Sequence, residues 1–117
     1  MGSASLLVWL VFLVTGCATH QVRFVAIGAP QTPHPADCSV DIYRGAPPTR
    51  DFIKISRIDV HLEKTHWIGS GLDDAMPELK RQACLSGADG ILDIEESSRL
   101  FNETRIYHVT ATGIRYK

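Results

Sequence analysis

The first apolar block of the chain is short and ends abruptly. Residues 6–14 are all apolar, and they are followed by Thr15, Gly16, Cys17 and then a polar segment with several prolines. The block is less than half as long as the roughly 20 apolar residues that a transmembrane helix requires. Its length and its position are typical of the hydrophobic region of a signal peptide. The alternative is that residues 6–14 form a buried helix or strand and that Cys17 is an ordinary thiol.

The next segment lacks the pattern of a regular element. Residues 17–37 contain Gly28 and three prolines, and apolar side chains recur only over residues 22–27. Such a composition is typical of an extended, partly stiff linker. We therefore predict a tether over residues 17–37. The alternative is that residues 23–27 add a first strand to the folded domain.

From Cys38 onward the pattern is that of a folded domain. Residues 39–44 alternate apolar and polar side chains, which predicts a short strand, and the Gly-Ala-Pro-Pro-Thr sequence of residues 45–49 ends it. A longer strand is predicted over residues 52–63, because apolar residues recur there at every second position.

The two faces of this longer strand differ in character. Asp59, His61 and Glu63 share the face opposite to the apolar residues. Upstream, the apolar residues change parity, and a shift by one residue exchanges the two faces of a strand. We therefore predict a bulge or break near Ser56 and Arg57.

One helix is predicted after a polar turn. Asp73 or Asp74 can cap its N-terminus, and Pro77 is tolerated in a first turn whose N–H groups have no partner inside the helix. Gly87 is expected to end the helix. The residues predicted to face the core recur at helical spacing: Met76, Leu79, Ala83 and Ser86.

Two further strands are predicted after the helix. Residues 90–94 form a short apolar run, and residues 105–116 are rich in β-branched and aromatic side chains. The polar residues 95–103 are expected to form the connection. The predicted order is β-β-α-β-β, which gives the fold class α+β: a single small domain over residues 38–117 with one sheet packed by one helix.

Charge distribution limits the possible partners. The chain has 12 Lys and Arg against 13 Asp and Glu. It therefore lacks the excess of positive charge that binding to phosphate groups requires, and we expect no nucleic-acid partner. Residues 1–22 contain none of these charged residues, which sets the N-terminal segment apart from the rest.

The residue types that carry chemistry occur without a recognisable spacing. The five histidines match none of the Cys-x-x-Cys, His-x-x-x-His or His-Glu-x-x-His patterns that hold zinc. The acidic pairs at residues 73–74 and 95–96 are sequence neighbours, whose side chains point in different directions. No nucleophile is placed against a base. We expect no catalytic residue, no metal ligand and no cofactor, and therefore a protein that is not an enzyme.

The end of the apolar block resembles a known processing signal. The Val-Thr-Gly-Cys sequence of residues 14–17 resembles the lipobox of bacterial lipoproteins. The resemblance implies that residues 1–16 are a signal peptide that is removed and that Cys17 becomes the lipidated first residue. In that family an aspartate after the cysteine favours inner-membrane retention. Because Ala18 stands there, the resemblance implies lipid attachment to the outer membrane, on its periplasmic face.

A second resemblance concerns the folded domain. It is carried by residues 79–94 (LKRQACLSGADGILDI) and residues 108–116 (HVTATGIRY). A helix ending in Gly-Ala-Asp, a following apolar strand and a last strand ending in Ile-Arg-Tyr resemble the YbjQ-like and RcsF-like small α/β domains. Several of these are bacterial lipoproteins. The RcsF-like resemblance implies envelope-stress sensing through protein contacts, and the YbjQ-like resemblance implies heavy-metal binding.

Cysteine usage follows from the lipobox resemblance. If Cys17 carries the lipid, Cys38 and Cys84 are left as an even pair in an oxidising compartment. We therefore predict a disulfide between Cys38 and Cys84. The alternative is two separate thiols, because the sequence does not show whether the two Cα atoms come within bonding distance.

The combined interpretation is a lipid-anchored periplasmic envelope protein that acts as a non-enzymatic protein-interaction or stress-sensing module. The alternative is a small-ligand or metal-binding lipoprotein. The expected partners are the membrane, reached through the N-terminal lipid, and an envelope protein. The candidate contact surface is the strand face that carries Asp59, His61 and Glu63, together with Trp67 in the turn that follows.

Overall fold

The computed structural model describes residues 19–65 and 71–117. They form five strands and one helix: β1 (Thr19–Ala26), β2 (Asp41–Ile42), β3 (Phe52–Thr65), α1 (Leu72–Leu85), β4 (Gly90–Phe101) and β5 (Thr104–Tyr116). The five strands form one sheet, and α1 packs against it, which confirms the predicted α+β fold of one sheet and one helix. The predictions for residues 1–18 and for Trp67 lie outside the described residues.

The sheet is almost entirely antiparallel. Its strand order is β1-β3-β5-β4-β2, with the long strands β3 and β5 at the centre. β4 and β5 form a hairpin around Asn102 and Glu103, and Asn102 adopts a positive φ of 54°. β1 pairs with β3 at one edge, whereas β2 pairs in parallel with β4 only at Gly90 and Ile91.

The hydrophobic core lies between α1 and one face of the sheet. Leu79 and Ala83 of the helix are fully buried there, as the helical spacing predicts, and Ser86 is buried as well. Burial of such apolar side chains is the main favourable contribution to folding. Most strand residues of this core come from facing positions of β3 and β5: Ile58 and Ala111, Val60 and Val109, Leu62 and Tyr107.

The segment predicted as a tether contains a strand. β1 pairs with β3 from Thr19 to Ala26, so the structure differs from an uninterrupted tether over residues 17–37 and agrees with the alternative of a first strand. Val22 and Phe24 pack against the core. Their alternation with polar Gln21 and Arg23 is the strand signal, which the prolines that follow obscured.

The second difference concerns the end of β4. The prediction that residues 95–103 form a connection is wrong, because β4 continues to Phe101 and pairs with β5 up to the hairpin turn. Residues 95–99 of this extension are polar, and all side chains from residue 95 to residue 101 are exposed. A register shift between Leu92 and Glu95 separates it from the buried start of the strand, and Asp93 has a positive φ of 53° there.

The bulge of β3 and the N-cap of α1 both lie close to their predicted positions. The register of β3 against β5 shifts between Lys54 and Ser56, close to the predicted bulge, so that neighbouring Ile55 and Ser56 are both buried. The helix N-cap is Gly71 rather than Asp73 or Asp74. The carboxylate of Asp74 accepts a hydrogen bond from the backbone N–H of Gly71 at 3.1 Å, and so acts from inside the first turn.

The helix ends as predicted. Ser86 is the C-cap residue, and Gly87 follows with a φ of +83°, the conformation that glycine adopts most readily. A Cβ atom at Gly87 would lie 2.6 Å from the carbonyl oxygen of Thr32, so the position also requires a residue without a side chain. In the described part of the chain, no helix is long and apolar enough to span a membrane.

Candidate interaction surface

The face of the sheet opposite to α1 is not covered by another element of the described residues. We call it the open face, defined by the alternate residues of β1, β3, β5 and β4 that point away from the helix. The strand registers align these residues in rows across the sheet. The polar residues of the open face are Gln21, Arg23, Arg57, Asp59, His61, Glu63, Glu95, Ser97, Arg99, His108 and Thr110.

Two histidines lie side by side at the centre of the open face. His61 on β3 is directly opposite His108 on β5, and their ring centroids are 5.9 Å apart. Nε2 of His61 lies 2.9 Å from Oε1 of Glu63, and Nε2 of His108 lies 2.8 Å from Oδ1 of Asp59. Each ring is thus held by one carboxylate, and all four side chains are partly exposed.

Two arginines lie beside this histidine–carboxylate cluster. Arg23 of β1 is opposite Asp59 in the strand register, and Nη2 of Arg57 donates a hydrogen bond to Oγ1 of Thr110 at 3.3 Å. Shallow grooves border the two histidines on the β1 side and on the β4 side. The surface therefore offers donors, acceptors and charges of both signs within one flat area, which suits recognition of a polar, charged partner surface.

The sequence predicted part of this cluster. Asp59, His61 and Glu63 share a face, as their spacing in one strand requires, and the structure brings them together with His108. His108 was missed because its position depends on the register of two strands that are far apart in the sequence. Among residues 19–65 and 71–117, no group of three His, Cys, Asp or Glu side chains is arranged to hold a metal ion.

The predicted disulfide is present. Cys38 and Cys84 are bonded, with their Cα atoms 5.8 Å apart. The bond joins the segment before β2 to the last turn of α1, where Cys84 is fully buried. The backbone N–H of His34 donates to the carbonyl oxygen of Cys84 at 2.8 Å, so this segment runs alongside the end of the helix.

A second polar cluster lies at the other end of the sheet, and no pattern in the sequence indicated it. The hydroxyl of Tyr116 donates to Oδ2 of Asp41 at 2.6 Å and contacts the hydroxyl of Tyr43. The guanidinium of Arg50 lies 3.9 Å from the centroid of the Tyr116 ring, within the range of a cation–π interaction. Burial and these two hydrogen bonds raise the pKa of Tyr116 above its ordinary value. The cluster fixes the C-terminal end of β5 against β2.

Comparisons of this chain with protein-family models, with curated proteins and with solved structures found no match. The resemblance of residues 79–94 and 108–116 to the YbjQ-like and RcsF-like domains therefore stays a prediction from their sequence pattern.

Proposed function

We propose that this chain is a lipid-anchored protein of the bacterial outer membrane that works in the periplasm by contacting another envelope protein, without catalysis. Cys17 carries the lipid in this proposal, and residues 1–16 are removed. Two or three acyl chains hold a protein stably on a membrane, because each buried CH₂ contributes about 0.8 kcal/mol. The folded domain then meets its partner close to the membrane surface, as expected of an accessory or stress-sensing subunit.

The observation that carries the proposal is the pairing of the cysteines. The chain has three cysteines, and the disulfide joins Cys38 to Cys84. Cys17 then has no further cysteine in this sequence to bond with, and only Thr15 and Gly16 separate it from the apolar block. Stable disulfides are typical of oxidising compartments such as the periplasm. The disulfide therefore supports an oxidising compartment, and the lipobox-like sequence supports attachment to a membrane that borders one.

The open face is the proposed contact surface. Antiparallel sheets commonly leave one face to water, so exposure alone does not indicate binding. The support comes from composition: Arg23, Asp59, His61, Glu63 and His108 concentrate charge and hydrogen-bonding groups in one area. Such a surface fixes the orientation of a complementary charged partner more than it contributes to affinity.

A photo-crosslinking experiment tests the contact surface. A photoreactive amino acid replaces Arg23 on the open face, and the matched control replaces Lys80, which is exposed on α1. We expect the probe at residue 23 to give one discrete adduct with an envelope protein in living cells, while the probe at residue 80 gives none. If neither probe, or both equally, produced that adduct across growth and envelope-stress conditions, the open face would not be the contact surface.

A further inference from the structure

The outer edge of β4 is unpaired over most of its length. Residues 95–101 pair with β5 on one side. On the other side, β2 reaches only Gly90 and Ile91, so within the described residues no strand covers this edge. All side chains from residue 95 to residue 101 are exposed. Free backbone N–H and C=O groups in such a row form a template for a further strand, and this segment carries no proline to block one.

The charges on this edge are complementary to themselves. Glu95 and Arg99 point to the open face, on either side of Ser97. Neither forms an ion pair with any other residue that the structure describes. If two copies of β4 align antiparallel around Ser97, Glu95 of each copy comes directly opposite Arg99 of the other. Opposite charges at facing positions stabilise a strand pair, and the two-fold arrangement forms this pair twice.

Exposed apolar side chains along β4 add to the complementarity between two copies. Leu100 and Phe101 at the end of the hairpin are 61% and 65% exposed. A groove of about 430 Å³ lies further back along the same edge, with Ile94 and Asp93 among its lining residues. Antiparallel alignment around Ser97 brings Leu100 of one copy towards Ile94 of the other. The exposed tip of each copy thus meets the groove of its counterpart.

We propose that β4 is the dimerisation edge of this protein and that its partner there is a second copy of the same chain. The two sheets join into one continuous sheet across a two-fold axis at Ser97. The outer edge of β1 is also unpaired among the described residues. It offers no such match, because Arg23 is its one charged residue apart from histidine and no acidic residue faces it in a symmetric pair. This proposal goes beyond the proposed function and does not depend on the open-face partner, whereas the expected population of the dimer in envelopes rests on the membrane attachment that the proposed function assigns.

The dimer is expected to be weak in dilute solution. A pair of short strands with one apolar contact at each end is smaller than the interfaces of about 1,200–2,000 Å² that characterise stable complexes. Confinement of both copies to a surface raises their effective concentration and favours the pair. Detection therefore requires a method that traps a transient contact.

Disulfide trapping of Ser97→Cys in the full-length protein, expressed in bacterial envelopes, tests the proposal. Facing Cα atoms in an antiparallel pair are about 4.5–5.5 Å apart, within the range that a disulfide spans. We expect a dimer on non-reducing gels in which peptide mapping finds the two introduced thiols bonded to each other, which excludes any bond that involves Cys17. The matched control is Gln21→Cys, on the exposed edge strand at the other side of the same face.

Charge reversal supplies the decisive comparison. On the Ser97→Cys background, Glu95→Arg or Arg99→Glu places like charges opposite each other twice, so we expect a loss of about tenfold in the trapped fraction. The double reversal restores opposite charges and should restore trapping. Leu100→Ser should also reduce trapping. The proposal is wrong if the Ser97→Cys variant traps no more dimer than the Gln21→Cys variant, or if the single reversals leave trapping unchanged while the melting temperature of the protein is unaltered.

Discussion

The buried hydroxyl groups of Ser56 and Ser86 join the sheet to the end of the helix. Their Oγ atoms are 2.8 Å apart, and Oγ of Ser86 also donates to the carbonyl oxygen of Ala83 at 2.8 Å. Ser56 therefore donates its proton to Ser86. A Cβ atom at Gly113 would lie 2.1 Å from Oγ of Ser56, so the glycine on β5 makes room for this hydroxyl inside the core.

Because Ser56 donates to Ser86 and Ser86 donates to Ala83, we expect the two serine-to-alanine substitutions to lower stability by different amounts. Ser86→Ala leaves the buried hydroxyl of Ser56 without its acceptor, which should lower the free energy of unfolding by about 1–3 kcal/mol. Ser56→Ala leaves Ser86 bonded to Ala83 and should cost only about 1 kcal/mol. Urea unfolding of the oxidised protein measures both, and the double variant should be no less stable than Ser86→Ala. Two equal and additive losses would contradict this arrangement.

Tyr107 predicts how stability responds to alkaline pH. Burial, followed by the hydrogen bond that its hydroxyl donates to Glu96 at 2.8 Å, raises the pKa of Tyr107 above its ordinary value. The unfolded chain then loses the phenol proton first, at a pH of about 10. Stability from this group is therefore full below pH ~10 and is lost as the pH rises towards the raised value in the folded state.

Thermal unfolding at a series of pH values measures this effect. The melting temperature should fall above a pH of about 10, and Tyr107→Phe should make that fall less steep although it removes a hydrogen bond. Tyr116→Phe should act in the same direction, because the pKa of Tyr116 is raised as well. Parallel curves for the wild type and Tyr107→Phe would show that the phenol of Tyr107 titrates alike in the folded and unfolded states.

At the scale of the elements, the sequence predicted what depends on burial and missed what depends on pairing. β3 and α1 were predicted because one face of each is buried, so that Leu62 and Leu79 repeat a readable period. The outer half of β4 has no buried face. Its strand conformation depends on backbone pairing with β5. The polar residues 95–99 have no pattern that indicates such pairing.

The disulfide joins the segment before β2 to the end of α1. It closes a loop with a sequence separation of 46 residues. Restriction of the unfolded chain by such a loop contributes about 4 kcal/mol. We therefore expect reduction to lower the free energy of unfolding by about that amount, a large share for a domain of this size.

Denaturant unfolding with and without a reductant tests the contribution of the disulfide. The matched control is the double variant Cys38→Ala and Cys84→Ala, whose unfolding should not respond to the reductant. A difference of less than about 1 kcal/mol between the oxidised and reduced wild type would contradict the estimate from loop closure. It would mean that residues 34–38 are held against the helix mainly by other contacts, such as the backbone hydrogen bond from the N–H of His34 to the carbonyl oxygen of Cys84.

At the scale of the whole molecule, a residue of the candidate site could be predicted only when it lies close in the sequence to the other residues of the site. The sequence identified the face of Asp59, His61 and Glu63 because one strand contains all three. It could not identify His108 or the Tyr43–Tyr116 contact, since both arise where distant strands are placed in register. The disulfide was predicted despite its long loop, because cysteines are few and the lipobox resemblance assigns one of them.

The two proposed surfaces meet at β4 but serve different contacts. The open face is proposed to meet an envelope partner, and the edge of β4 a second copy. The structure contains a disulfide between Cys38 and Cys84, a bond that is typical of proteins in oxidising compartments. The proposed function depends above all on the claim that Cys17 carries a lipid.

The intact mass of the protein extracted from membranes tests this claim most directly, measured with and without reduction before thiol alkylation. We expect the mass of residues 17–117 plus acyl groups, with Cys38 and Cys84 alkylated only after reduction. A mass that still includes residues 1–16 and carries no acyl group, with three thiols open to alkylation, would contradict it.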